Sequence, residues 1–223
     1  MENSSLTIFT TILSVIGSFA LLPEVQGALQ VVPAPDGCYP GFTTAEGCLA
    51  LQNLTAGSGN TGVGWRSLFS VGDGSFNTGV GAGALVLNTN GNNTAVGAAA
   101  LLLNTTGSDN TAVGTAALLL NVSAFTNAAV GTFAAQNNDS SGTGTADFNT
   151  AVGGFALQHN VDGTENTAVR AGAIESGDGG NDNTAVGFLA GNTITGNSNT
   201  CLGSSAGSNL IGGEGNIYIG AQV

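Results

Sequence analysis

Hydrophobic and polar positions follow a pattern that returns about every 17 residues along most of this chain. The first clear copy, residues 60–64 (Asn-Thr-Gly-Val-Gly), recurs nine times at distances of 17, 16, 17, 17, 22, 17, 17, 16 and 17 residues. Asparagine opens all ten copies, the fourth place is Val, Leu or Ile, and the fifth is Gly in nine, with Arg170 as the exception. This regularity indicates a repeat architecture.

The repeat length selects the type of architecture. Helical-pair repeats need more than about 30 residues, so a copy of this length cannot hold two packed helices and a connection. It suffices for two strands of four or five residues and two turns. The sequence therefore predicts an all-β fold, a parallel β-roll or β-solenoid of about ten 17-residue coils with a short N-terminal cap.

Stacked coils place like residues above one another, about 4.8 Å apart. We expect the opening asparagines to form a hydrogen-bonded structural ladder and the fourth-place residues to form the core. The leucines at the ninth place of the copies should form a second apolar stripe, which consists of Leu68, Leu85, Leu101 and Leu118. Strand alternation then puts the second-place threonines on the inner face with the valines and the small third-place residues outside. The predicted ladder is Asn60, Asn77, Asn93, Asn110, Asn127, Asn149, Asn166, Asn183, Asn199 and Asn216, and the predicted core is Val63, Val80, Val96, Val113, Val130, Val152, Val169, Val186, Leu202 and Ile219.

The region before the repeats has a different character. Residues 6–22 are mostly apolar and uncharged, which predicts a signal peptide over residues 1–27 that is cleaved after Gly27, with a membrane anchor as the alternative. Residues 28–59 are predicted to be an N-terminal cap with a disulfide between Cys38 and Cys48, and residues 60–223 the β-roll repeat domain. After removal of the signal peptide we expect no membrane insertion.

Two departures from the regular repeat are visible. The fifth copy has five extra residues, which we place within residues 137–144 as a local protrusion. The chain stops midway through a coil, and we expect the resulting sheet edge to be covered by another subunit or by sequence beyond this chain.

A cysteine and five asparagines outside the repeat pattern also carry predictions. Cys201 holds a repeat position that is otherwise small or apolar, so we expect it to be buried. Asn-x-Ser/Thr sequons, which are glycosylation acceptors in some organisms, occur at Asn53, Asn92, Asn104, Asn121 and Asn138.

Composition and charge limit the classes of function that this chain can have. Two basic residues against 14 acidic ones give a formal charge of −12, so we expect no nucleic-acid partner. His159 is the single histidine and lies in a polar turn, and we therefore expect no catalytic residues, no cofactor and no enzymatic activity. Glu165 and Asp182 close consecutive repeats and residues 176–182 resemble one calcium-binding turn, but we expect no metal site because such turns recur in successive coils of calcium-binding β-rolls.

The motif Asn-Thr-Ala-Val-Gly, as in residues 93–97, resembles the head repeats of trimeric autotransporter adhesins, which are parallel β-rolls assembled as trimers on bacterial surfaces. The longer pattern Asn-Thr-Ala-x-Gly-x-x-Ala-Leu is similar to the repeats of large secreted bacterial proteins. The stretch from Cys38 to Cys48 that leads into residues 60–68 is similar to the start of such proteins. The resemblance implies a secreted or cell-surface location and self-association as a trimer or filament.

Two classes of function remain. The first is a non-catalytic extracellular structural or adhesive protein, such as an adhesin head or filament component, with a host or matrix surface ligand. The second is a ligand- or ice-binding solenoid that uses a repetitive threonine face. The threonine column at Thr94, Thr111, Thr150, Thr167 and Thr184 discriminates between them, because exposed threonines favour the second class and buried ones exclude it.

Overall fold

The computed structural model describes residues 41–178 and 180–221, and this part of the chain forms a parallel β-solenoid. Its eleven strands have three residues each and lie in one sheet in the order of the sequence. The predicted fold class is confirmed, whereas the predicted signal peptide lies outside the described residues. The strands are β1 (Thr44–Glu46), β2 (Thr61–Val63), β3 (Thr78–Val80), β4 (Thr94–Val96), β5 (Thr111–Val113), β6 (Ala128–Val130), β7 (Thr150–Val152), β8 (Thr167–Val169), β9 (Thr184–Val186), β10 (Thr200–Leu202) and β11 (Ile217–Ile219).

Neighbouring strands pair without any offset, so each residue lies beside its equivalent in the next coil. Between β4 and β5, for example, Thr94 pairs with Thr111 and Val96 pairs with Val113. The longer fifth coil keeps this register, because Ala128 of β6 still pairs with Thr150 of β7. We therefore number the places of each coil from its opening asparagine, and each place forms a column along the solenoid.

The structure contains one coil before the ten repeat copies, which keep their numbers from the sequence analysis. β1 lies within the segment predicted as a cap, and Thr44 of β1 pairs in register with Thr61 of β2. Thr43 takes the place of the opening asparagine and is buried. Thr43 and Glu46, which stand where the other coils have Asn and an aliphatic residue, hide this copy in the sequence. Residues 28–40 of the predicted cap lie outside the described residues.

Each described coil has one strand of three residues, and the predicted second strand is replaced by turns. Places seven and nine have positive φ even where the residue has a side chain, as at Ala99 (58°) and Leu101 (50°). Such conformations cost about 1–3 kcal/mol each and interrupt a strand. Stacking stabilises them, because the Leu101 N–H donates to the Ala117 carbonyl of the next coil at 3.0 Å and the Ala99 N–H to the Ala82 carbonyl of the preceding coil at 2.9 Å.

Alternation along the strand is opposite to the prediction. The third-place residues, such as Ala95 and Ala112, are fully buried, while Val96 and Val113 are each 37 % exposed and their neighbouring threonines are partly or fully exposed. The predicted core of fourth-place residues is therefore wrong, and this correction applies to Val63, Val80, Val96, Val113, Val130, Val152, Val169, Val186, Leu202 and Ile219, none of which is buried.

The physical reason is that an extended strand buries alternate residues. Place one is buried throughout the middle of the solenoid, so place three must face inward as well and places two and four outward. The interior leaves little room there, since a Cβ added at Gly79 would lie 3.3 Å from Cγ of Leu68. The core therefore consists of small third- and eighth-place residues packed against the place-nine leucines, of which Leu68, Leu85, Leu101, Leu118 and Leu157 are fully buried.

Candidate functional site

The opening asparagines form a continuous hydrogen-bonded column, which we call the first asparagine ladder (Asn60 to Asn216, one in each of the ten coils that begin with asparagine). In each of its nine steps, Oδ1 of one asparagine accepts the backbone N–H of the next at 2.8–3.1 Å. The Asn110 amide also donates to Asn93 Oδ1 and to the Ala124 carbonyl, at 3.2 and 2.9 Å. These side chains satisfy buried backbone groups at the corner of the coil, where no sheet partner can do so.

Sequence reasoning missed a second asparagine ladder at place twelve, which consists of Asn88, Asn104, Asn121, Asn138 and Asn160. All five are buried. Their amides donate from coil to coil, with Asn104 Nδ2 at 2.7 Å from Asn88 Oδ1 and Asn121 Nδ2 at 3.0 Å from Asn104 Oδ1. The signal was an asparagine eleven residues after the opening one in five consecutive copies. Burial makes the sequons at Asn104, Asn121 and Asn138 inaccessible in the folded chain, whereas those at Asn53 and Asn92 are exposed.

The outward side chains of β2 to β10 form a regular, uncharged surface, which we call the threonine–valine face. Its places two and four hold threonine and valine in most coils, in register from strand to strand. The five extra residues of the fifth coil lie in the turns and do not interrupt it. The face comprises Thr61, Val63, Thr78, Val80, Thr94, Val96, Thr111, Val113, Ala128, Val130, Thr150, Val152, Thr167, Val169, Thr184, Val186, Thr200 and Leu202.

Threonine hydroxyls in the turns are hydrogen-bonded to neighbouring coils, whereas those on this face are not. In the turns, Thr89 Oγ1 donates to the Thr105 carbonyl of the next coil at 2.8 Å, and Thr105 and Thr193 make equivalent bonds at 2.8 Å. Within the described residues, the hydroxyls of the face threonines, such as Thr111, have no hydrogen-bond partner. The face therefore presents free donors and acceptors between valine methyl groups.

The extra residues of the fifth coil are organised around a buried carboxylate that the sequence analysis did not single out. Asp139 accepts hydrogen bonds from the backbone N–H groups of Ser123 at 2.7 Å, Ala124 at 3.0 Å and Gly144 at 2.7 Å. Nearby, partial burial and secondarily the charge of Asp139 raise the pKa of Asp147, although the Phe125 N–H donates to its carboxylate. The Asp139 carboxylate therefore has a structural role, because its hydrogen bonds hold this loop in place.

The residues considered for catalysis and metal binding lie exposed on the coils. His159 is exposed, with Nδ1 3.0 Å from the Asn137 amide nitrogen. Glu165 and Asp182 are exposed on neighbouring coils. The described ranges contain no group of three or more His, Cys, Asp or Glu side chains arranged to hold a metal ion. Residue 179, in the turn that resembles a calcium site, lies outside them.

The cysteines divide between the core and the surface. Cys201 is buried at place three, as predicted, and desolvation raises the pKa of its thiol. Cys48 is exposed and free within the described part of the chain. Its predicted disulfide partner, Cys38, lies outside the described residues, so the pairing stays a prediction.

The two basic residues occupy unusual positions. The Arg66 guanidinium lies over the rings of Phe69 and Trp65, 4.6 and 5.2 Å from their centroids. Arg170 is exposed and takes the fifth place, which is otherwise glycine, with a φ of 94°. Neither creates a basic surface patch. Along the described residues, no helix combines the length and apolar character needed to cross a membrane.

Comparison with known proteins adds no family to this description. No protein-family model matches the chain, and neither a curated protein nor a solved structure was found to be similar to it.

Proposed function

We propose that the protein is a non-catalytic extracellular structural or adhesive repeat protein whose threonine–valine face is its contact surface. The observation that carries this proposal is the contrast between an interior whose asparagines are hydrogen-bonded from coil to coil and a face whose hydroxyls have no partner. The interior supplies rigidity, because each coil is bonded to both of its neighbours. The face supplies a repetitive surface that contains no charged residue over nine strands.

Secretion and the disulfide belong to the same proposal. The apolar segment over residues 6–22 supports export, and an oxidising extracellular environment supports a bond between Cys38 and Cys48. The resemblance to secreted Asn-Thr-Ala-x-Gly repeat proteins and to trimeric autotransporter heads supports a cell-surface location with a host or matrix surface ligand. Self-association as a trimer or filament rests on that resemblance, because the small third-place residues, which would have allowed close approach of another chain, are buried.

Fractionation of the source cells tests this proposal. We expect the chain in the medium or on the cell surface, with Ala28 as its first residue and a mass that shows the Cys38–Cys48 bond before reduction. Sedimentation of the same material measures self-association. A cytosolic chain that retains Met1 would contradict the proposal, irrespective of what the face binds.

The outward threonines also favour the second class of function, direct ligand binding by the repetitive face. These threonines are partly or fully exposed, so their hydroxyls do not form an internal ladder. The threonine column therefore no longer argues against ligand binding by this face. The chemical class of this ligand can be argued further from the geometry of the face.

A further inference from the structure

We infer that the threonine–valine face binds an ordered water lattice, that is, the surface of ice. The inference rests on the proposed function only in taking this face as the contact surface. Three properties of the face carry it: its spacing, the state of its hydroxyls and its size.

The spacing of the face is regular in both directions. Along the solenoid, in-register parallel strands repeat the same side chain about every 4.8 Å, and along each strand places two and four are about 7 Å apart. Both distances are close to repeat distances between oxygen atoms in hexagonal ice. Water molecules held by successive hydroxyls would therefore lie near lattice positions.

The hydroxyls have no protein partner, and the conformations of their side chains are restricted before any ligand arrives. Threonine and valine are branched at Cβ, which restricts χ1 and reduces the entropy lost on binding. Valine methyl groups lie on the same face, two places after the threonines, with valine exposures of 37–42 % in five of the coils. Water beside such methyl groups is restricted in orientation, while the hydroxyls anchor it by hydrogen bonds.

The size of the face argues against another protein as its occupant. Nine strands with two outward side chains each offer roughly 400 Å², including side-chain radii. A stable protein interface needs about 800 Å² from each partner and usually contains aromatic or arginine anchors. The face has neither an aromatic residue nor an arginine. Its lack of charge also gives no attraction for an ionic ligand.

The experiment measures thermal hysteresis and incorporation into a growing ice front for the intact folded chain. Thr111→Lys and Thr115→Lys form a matched pair, since both residues are exposed, lie in the same coil and gain the same charge, but only Thr111 belongs to the face. We expect hysteresis and incorporation for the wild type and Thr115→Lys, and loss of most of both for Thr111→Lys. Thr111→Val, which keeps the shape and removes the hydroxyl, should lose part of the activity.

Unfolding midpoints and sedimentation of all four proteins accompany the measurement. A folded wild-type chain that shows no hysteresis and is excluded from ice would overturn the inference, and so would equal activities for Thr111→Lys and Thr115→Lys. If Thr111→Lys instead dissociates an oligomer, the face is occupied by a second copy and the inference is wrong. An exported chain without ice activity would leave the proposed extracellular role intact, so the two failures are distinguishable.

Discussion

The middle coils of the solenoid contain β3 to β7, and the last complete coils contain β9 and β10. The two regions fill the interior with different side chains. In the middle, places one and twelve both hold buried asparagine, as in Asn110 and Asn121. In the coils of β9 and β10, place one remains asparagine, but place twelve is Ile194 or Leu210. The comparison shows that the first ladder is required in both regions, whereas the second is one of two solutions.

Hydrogen-bond partners explain this difference. The Oδ1 atom of Asn110 is the acceptor for the backbone N–H of Asn127, at 2.9 Å, and a buried donor without such a partner is costly. At place twelve the backbone N–H is satisfied within the coil, since Asn104 N–H donates to the Leu101 carbonyl at 3.2 Å. The second ladder thus bonds mainly side chains to each other, and an apolar column can replace it.

The replacement in the last coils comes with a second change. Place nine is leucine in most middle coils but Gly191 and Gly207 in the last two. A Cβ on Gly191 would lie only 2.4 Å from Cδ1 of Ile194. In this coil, the Ile194 side chain at place twelve therefore occupies the space that the place-nine leucine fills in the middle coils.

The largest effect is expected from Asn110→Ala in the first ladder. The substitution removes three hydrogen bonds and leaves the Asn127 N–H without an acceptor, so the free energy of unfolding should fall by about 3–5 kcal/mol. Urea titration followed by circular dichroism measures it. Thr111→Ala, on the outer face of the same coil, is the control and should change stability by less than about 1 kcal/mol. Equal effects would show that the ladder contributes little.

Next in size is Ile194→Asn, which puts the middle-coil residue into a coil that lacks the place-nine leucine. A cavity beside Gly191 and an amide without a ladder partner should lower the free energy of unfolding by about 2–4 kcal/mol. Adding Gly191→Leu should recover part of this loss, because leucine adopts a similar φ at place nine in other coils. Strictly additive effects of the two substitutions would contradict the proposed exchange of space between places nine and twelve.

A smaller loss is expected from Asn121→Leu, which introduces an apolar residue at place twelve of a middle coil. The substitution removes four side-chain hydrogen bonds, one of which is the bond of the buried Asn127 amide. No backbone N–H loses an acceptor, however, and the Ala124 carbonyl keeps the Asn110 amide. The free energy of unfolding should therefore fall by about 2–3 kcal/mol in the same urea titration, less than for Asn110→Ala. A loss as large as that of Asn110→Ala would show that the two ladders are equivalent.

The smallest effect is expected from Arg170→Gly, in the coil where the second ladder stops. A non-glycine residue with φ of 94° costs about 1–2 kcal/mol, and the added freedom of glycine in the unfolded chain offsets about 0.5–1 kcal/mol of that. Stability should rise by up to about 1 kcal/mol, seen as a higher thermal midpoint. Gly153→Ala is the opposing control and should destabilise, because its Cβ would lie 2.5 Å from the Arg170 carbonyl carbon.

The candidate site was only partly predictable from the sequence. The threonine column was recognised as the discriminating feature, but its orientation was assigned from the apolar character of its valine neighbours. Burial of Asn93 and of Val96 cannot occur together in one extended strand, because places one and four face opposite sides. Three members of the second ladder, Asn104, Asn121 and Asn138, also match the sequon pattern, and only the structure shows that they are buried.

By itself, the sequence determined the repeat length, the parallel stacking of coils and the asparagine that opens each one, because these depend on recurrence and on hydrogen bonds between identical neighbours. Only the tertiary structure decided which side of each strand is buried, and why the residues after it form turns instead of a second strand. A three-residue strand has two possible orientations, and the narrow interior beside Leu68 and its equivalents admits only small third-place side chains. The volume of the interior, more than the hydrophobicity of valine, thus leaves the threonine hydroxyls facing outward.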